Sequence, residues 1–203
     1  MDGERSLFLV TLAGALLFVL SLEVAEGVRP AIDDAVAALL LGKHTPPLDR
    51  ILIGFTHLGG AVALLILSTA VSLLLYLRRR RFDLVYFLVT VLSTAVSVSL
   101  LKMAFHRERP PDGLVDTASY AFPSWHAALS AALAFALYRL FVAGMGAGAR
   151  KALLTLLLLL WPLAMGFSRI YLGAHWTTDV TGGWGLGLFS AGASALLMRR
   201  RNG

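Results

Sequence analysis

Six apolar runs, each close to twenty residues long, dominate this 203-residue chain and leave few ways for it to fold. They lie at Leu7 to Leu22 and near 58 to 77, 82 to 101, 125 to 143, 151 to 167 and 180 to 198. Each approaches the length an α-helix needs to cross about 30 Å of hydrocarbon. The expected fold class is therefore all-α: a polytopic membrane protein of six transmembrane helices, with residues 1–203 forming a single domain. Composition agrees, with 58 % hydrophobic and 15 % charged residues and a mean hydropathy of +0.76. A soluble domain carries about 25 % charged residues. The first run has the apolar core of a secretory signal. Its exit, Ser21-Leu22-Glu23-Val24-Ala25-Glu26, lacks a small-x-small cleavage pattern and reads as the end of a span. Between Glu26 and Arg50 only Ala31 to Leu41 is helix-like, too short to cross, and it reads as an interfacial or packed helix.

The formal charge of +6 and pI near 10.2 would suggest nucleic acid in a soluble protein. Here membrane topology accounts for them, and no nucleic-acid partner is expected. Side one of the six-span layout carries ten bases, Arg5, Arg78 to Arg81, Arg150, Lys151 and Arg199 to Arg201, against Asp2, Glu4 and Asp83. Side two carries Arg29, Lys43, Arg50, Lys102, Arg107, Arg109 and Arg169 against nine acids, Glu23, Glu26, Asp33, Asp34, Asp49, Glu108, Asp112, Asp116 and Asp179. Lys and Arg are retained in cytoplasmic connectors, so side one and both termini are expected in the cytoplasm of a plasma-membrane protein. Zero cysteines exclude a disulfide framework, thiolate metal sites and a cysteine nucleophile.

Three clusters fall on side two. In Lys102-Met-Ala-Phe-His-Arg-Glu-Arg109-Pro110 the two cations are two helical turns apart and share a face if the helix reaches that far. Pro110 disfavours helix at Arg109, setting its guanidinium where helix gives way to loop. A point charge and a planar fork suit phosphate oxygens, although bases at span ends also serve as anchors. In Phe122-Pro123-Ser124-Trp125-His126, Ser124 reads as a helix cap beside amides able to bind an anion, and His126 as a proton donor. A capping serine with interfacial Trp and His is the plainer reading. In Ser168-Arg169 to His175 and Asp179, the last two share a face if the helix begins early. The carboxylate would fix the imidazole tautomer and free the other nitrogen to attack. A buried polar contact or half a metal site is equally open on this spacing.

In order and spacing these clusters resemble the motifs of the type 2 phosphatidic acid phosphatase (PAP2) superfamily: Lys-x6-Arg-Pro at Lys102 to Pro110, Pro-Ser-Gly-His at Pro123 to His126, and Ser-Arg-x5-His-x3-Asp at Ser168 to Asp179. The resemblance implies the PAP2/haloperoxidase-like helical core and a lipid phosphatase needing no cofactor or metal. It implies His175 as the nucleophile that becomes phosphohistidine, Asp179 as its orienting partner, and His126 as the acid that protonates the lipid alkoxide and then activates water. Lys102, Arg109, Ser124, Arg169 and the amide of Trp125 would hold the phosphoryl oxygens. Trp125 stands where the family has glycine, and its indole either obstructs the phosphate or lies sideways toward headgroup or substrate. Thr56-His57-Leu58-Gly59 resembles a stretch of bacterial members acting on phosphatidylglycerol phosphate and undecaprenyl pyrophosphate.

The expected partners are a membrane lipid phosphate and the bilayer, with the site facing the periplasm or exterior. Undecaprenyl pyrophosphate, phosphatidylglycerol phosphate and phosphatidic acid are the candidate substrates. A phosphotransferase passing the phosphoryl group to another lipid is an alternative, as is an anion transporter. Arg107 and Glu108 read as an ion pair or solvated loop, and His57 and His106 as interfacial, with reach into the substrate mouth the alternative for His57. The glycines from Gly182 to Gly192 read as a close-packing stripe.

Overall fold

The computed structural model describes residues 2–22, 30–40, 42–111, 113–115 and 117–198. Glu23, Glu26, Arg29, Leu41, Asp112, Asp116 and Arg199 to Arg201, used in the expectations above, lie outside the described residues. Every described element is helical: α1 (Asp2–Leu20), α2 (Ala31–Leu40), α3 (Pro46–Thr56), a 3-10 turn His57–Gly59, α4 (Ala61–Leu77), α5 (Arg81–Phe105), α6 (Trp125–Leu137) extended by a π-helical turn Tyr138–Val142, α7 (Ala149–Tyr171) and α8 (Thr177–Leu197). Helices satisfy their own backbone polar groups, which apolar surroundings require.

Four helical segments, Arg81–Phe105, Trp125–Val142, Ala149–Tyr171 and Thr177–Leu197, are long and apolar enough to cross a membrane. Pro46–Gly59 and Ala61–Leu77 make a fifth if the pair, bent by 45°, counts as one. The six spans expected from the apolar runs thus reduce to four or five on length and composition among the described residues. The second run begins later than its helix system does, because Pro46 and Pro47 start α3 at the N-terminal positions where proline is tolerated. The short element expected before it is α2, with Asp33 buried.

The core is α6 and α8. Residues 127–134 of α6 are buried throughout, an alanine-rich stretch able to approach its neighbours closely. On α8 one set of glycines faces α6 and another faces α1, so α8 lies between them. A Cβ on Gly187 would sit 2.2 Å from the carbonyl oxygen of Ala128, and one on Gly185 would sit 2.5 Å from the amide nitrogen of Phe18. Small residues of this kind let helix backbones meet where lipid removes the hydrophobic drive. Gly187→Leu is therefore expected to cost several kcal/mol, above the roughly 1–3 kcal/mol of ordinary overpacking, because backbone rather than a side chain must yield. A thermal unfolding scan in detergent checks it; an unchanged midpoint would contradict the packing.

Leucines face outward along the spans, among them Leu65 (68 % exposed), Leu92 (60 %) and Leu159 (59 %). Alternating helix directions bring the C-terminal ends of α5 and α7 and the N-terminal ends of α6 and α8 to one end of the bundle. Arg78 to Arg80 turn the chain between α4 and α5 at the other end, where Arg80 Nε pairs with Asp83 at 2.7 Å.

Candidate active site

Lys102 sits in the last turn of α5, buried, its ammonium donating to the carbonyls of Tyr120 and of Ala121, the latter at 3.3 Å. The helix ends three residues later, with His106 left-handed at φ 47° and its ring edge-on to Tyr120, 4.5 Å between centroids. Lys102 and Arg109 therefore do not share a helical face as expected. Arg109 enters from the loop, as the following proline implied, its helix already ended. Its guanidinium donates to the Ser119 carbonyl at 2.7 Å and the Ser119 hydroxyl at 3.2 Å, and to the Ala174 carbonyl. Its Nη1 lies 3.1 Å from Nε2 of His175.

Ser124 occupies the N-cap position of α6, but its hydroxyl makes no capping bond. The Oγ is buried and unpartnered, as are Nε of Arg169 and the indole nitrogen of Trp125. The Ser124 amide donates to the Asp179 carbonyl at 2.9 Å, fastening the start of α6 to that of α8. Orphaned buried polar atoms cost about 1–3 kcal/mol each unless a partner arrives. Phosphoryl oxygens are acceptors that a hydroxyl and a guanidinium can serve together.

Arg169, in the last turn of α7, donates from Nη1 to the Thr56 hydroxyl at 2.9 Å. A Cβ on Gly59 would fall 2.9 Å from Cδ2 of His126 and 2.6 Å from Sδ of Met165. Thus Thr56 and Gly59, from the stretch between α3 and α4, meet Arg169 and His126 respectively. His57, between them, is exposed. Lys102, Arg109 and Arg169 act electrostatically on both His126 and His175, which places two imidazoles among three cations.

His175 is 2 % exposed, and its Nδ1 lies 3.4 Å from Oδ2 of Asp179. The helix does not begin early enough for the two to share a helical face: α8 starts at Thr177, and Asp179 reaches back from its first turn. That oxygen also accepts the Trp176 amide at 2.9 Å, while Oδ1 accepts Arg107 Nη1 at 2.5 Å. With a carboxylate on Nδ1 and a guanidinium on Nε2, the neutral tautomer is Nδ1–H, its Nε2 lone pair toward Arg109. Burial, and then the charges of Arg109, Lys102 and Arg169, hold the imidazole well below its usual range. It is consequently unprotonated where a free histidine begins to charge.

Because the unfolded chain takes up that proton near pH 6.5 and the folded chain does not, folding stability is full above that pH and falls on acidification, by about 1.4 kcal/mol per pH unit. Unfolding midpoints measured from pH 7 to pH 5 are expected to drop more steeply in the parent than in His175→Gln. Parallel slopes would contradict the buried neutral imidazole.

The eight expected site residues thus meet at one end of the bundle, with one difference in aim. The Trp125 side chain packs against the core and, with Leu64, Ser68, Leu92, Leu129 and Leu133, lines a groove of about 440 Å³ between α4, α5 and α6. Its amide, the first of α6, remains beside Ser124. Sequence reasoning missed Asp33 and passed over Arg107. Arg107 donates to Asp179 and to Asp33, and Asp33 also accepts from Thr178, with all three carboxylate and guanidinium groups at most 10 % exposed. Only the position of Arg107 inside the first motif hinted at this. Two acids in the first turn of a short helix ordinarily signal dipole matching, and nothing local marks Asp33 as buried. Among the described residues no three His, Asp or Glu side chains are grouped to hold a metal ion.

Residues 83–203 match the model of the PAP2 superfamily. Phosphatidylglycerophosphatase B of Bacillus subtilis (strain 168) is 28 % identical over 173 residues, 84 % of this chain and 85 % of that one. The crystal structure of the first transmembrane PAP2 type phosphatidylglycerolphosphate phosphatase from Bacillus subtilis matches with a TM-score of 0.77 at 26 % identity, over 94 % of this chain and 99 % of that chain. The crystal structure of Aquifex aeolicus LpxE matches with a TM-score of 0.66 at 22 % identity, over 83 % of this chain and 97 % of that chain, a likeness of fold.

Proposed function

The chain belongs to the PAP2 superfamily, and from that footing we propose that it is an integral-membrane phosphatase acting on a lipid phosphate or pyrophosphate through a phosphohistidine at His175. The observation that carries this reading is the buried His175, with Asp179 on one ring nitrogen and Arg109 3.1 Å from the other. Nε2 attacks phosphorus in line. As the N–P bond forms, the P–O bond to the lipid breaks, and His126, charged once the bound phosphate offsets the three cations, gives its proton to the departing oxygen. His126 then takes a proton from water, whose oxygen displaces the imidazole and releases inorganic phosphate.

Lys102, Arg109, Ser124, Arg169 and the Trp125 amide hold the phosphoryl oxygens. Phosphoryl transfer needs mainly positioning and positive charge around those oxygens, and three side-chain cations supply both without a metal. The lipid tail lies in the bilayer, with the groove beside Trp125 giving it an apolar wall. Phosphatidylglycerol phosphate is the first candidate, after the names of the Bacillus subtilis relatives, followed by undecaprenyl pyrophosphate and phosphatidic acid.

For topology, we read α1 as the sixth span: nineteen residues at 1.5 Å each reach about 28 Å. Both termini are then cytoplasmic and the site faces the other side. The cluster Arg78 to Arg81 supports this, since it lies at the end of α5 opposite Lys102.

Purified protein in mild detergent with EDTA is expected to release inorganic phosphate from at least one of the three lipids without an added acceptor. A strict requirement for one divalent ion would contradict the metal-free mechanism. Phosphoryl transfer to an added lipid with no free phosphate would make the protein a transferase.

A further inference from the structure

Asp33 stands outside the residues that match the family, on the ten-residue helix α2, yet its carboxylate is fully buried against the start of α8. Oδ1 accepts the Thr178 amide at 2.9 Å, and Oδ2 accepts the Thr178 hydroxyl at 2.6 Å and Nη2 of Arg107 at 2.6 Å. The other arm of that guanidinium, Nη1, donates to the Thr178 hydroxyl at 2.7 Å and to Oδ1 of Asp179 at 2.5 Å. Both arms of Arg107 are thus committed to carboxylates, and its plane lies over the Trp176 ring, 5.9 Å from the centroid. A guanidinium so occupied is not available to phosphate. It fastens the carboxylate that in turn fastens the nucleophile.

We propose that Asp33 and Arg107 are positioning residues for the reaction, forming a buried relay Asp33–Arg107–Asp179 that aims Asp179 at His175 and keeps the charge facing His175 negative. The inference rests on His175 being the nucleophile. Two physical consequences carry it. First, Asp179 has two oxygens with separate duties: Arg107 holds Oδ1, and that leaves Oδ2 turned toward Nδ1 of His175. Second, Asp33, Arg107 and Asp179 sum to one negative charge. With Asp33 neutral, Arg107 would cancel Asp179, and the positive charge that builds on the imidazole as its Nε2–P bond forms would face no net counter-charge. A buried triad of this kind is poor at stabilising a fold compared with apolar packing, so a simple staple between α2 and α8 is a weak reason for it. The bridging also needs a fork, which lysine lacks.

The relay acts on formation of the phosphoenzyme and not on its breakdown, because a less stabilised phosphoimidazolium forms more slowly and leaves at least as readily. Rapid-quench experiments with phosphatidylglycerol phosphate, labelled in the terminal phosphate, separate the two steps. Asp33→Asn and Arg107→Lys are expected to slow labelling of His175 by about tenfold or more, with the dissociation constant for the lipid within twofold and the release rate of bound label unchanged or raised. Folded variants with the parent's labelling rate would overturn the proposal, as would a loss shared equally by both steps. Should a single change unfold the protein, the pair Asp33→Asn with Arg107→Gln, which keeps one negative charge facing His175 but removes the fork from Oδ1 of Asp179, restores the unfolding midpoint and only part of the labelling rate; full recovery of both would make the triad a staple. Parent protein that turns over with no label on His175 overturns the nucleophile and the relay together. A labelled parent with unaffected variants overturns the relay alone.

Discussion

His175→Ala is expected to lower phosphate release by roughly 10⁴-fold or more, to the level of the detergent blank. The imidazole is 2 % exposed, and its two nitrogens face Asp179 and Arg109, so no neighbouring side chain can take its place without moving the backbone. Binding should survive, because Lys102, Arg109, Arg169 and Ser124 are untouched. The variant should therefore still compete for lipid phosphate in mixed-micelle binding measurements. Alanine leaves a cavity and takes one of its two partners from Oδ2 of Asp179, so size-exclusion behaviour and the unfolding midpoint must accompany the rate. Folded variant retaining even a hundredth of the parent activity would contradict the covalent route. An anion transporter would keep its flux in this variant, which separates the two classes by one assay.

His126→Ala should have the second largest effect, and its size should depend on the leaving group. General acid catalysis contributes about 10²–10⁴-fold where the departing oxygen needs a proton. A lipid alkoxide needs one, so lipid turnover should fall by that factor. With p-nitrophenyl phosphate the leaving phenolate needs none, and labelling of His175 should be nearly preserved. The second step still lacks its base, so with p-nitrophenyl phosphate the phosphoenzyme should accumulate in this variant after the first turnover. Equal losses in both substrates and both steps would instead assign His126 a packing role beside Gly59 and Met165.

The parts of this site legible in the sequence are those whose chemistry is written at short spacing. Lys102 to Arg109, Ser124 to His126 and Arg169 to Asp179 each sit at a helix end, and the alternation of apolar runs was enough to put those ends at one side of the bundle. Details that depend on where a helix stops were not legible. The spacing of Lys102 and Arg109 suggested a shared face, but His106 turns left-handed and the cations converge from helix and loop. His175 and Asp179 meet across a helix start, not along a helix. Asp33 could not be read as a site residue, and Thr56 and Gly59 were marked only by the resemblance of their stretch, because their partners lie 74, 113 and 67 positions away in the chain. Hydropathy likewise left α3 unread, since the amphipathic segment from Pro46 to Thr56 has no apolar run of spanning length and joins α4 only through a bend of 45°.

A phosphoryl group that passes through His175 can be trapped there. The protein is mixed with terminally labelled phosphatidylglycerol phosphate, quenched in alkaline denaturant so that the acid-labile N–P bond survives, digested, and the label located by mass spectrometry. Phosphate is expected on His175 in the parent and none in His175→Ala. Phosphate on any other residue, or steady turnover with no phosphorylated residue at any time point, would contradict the route through His175.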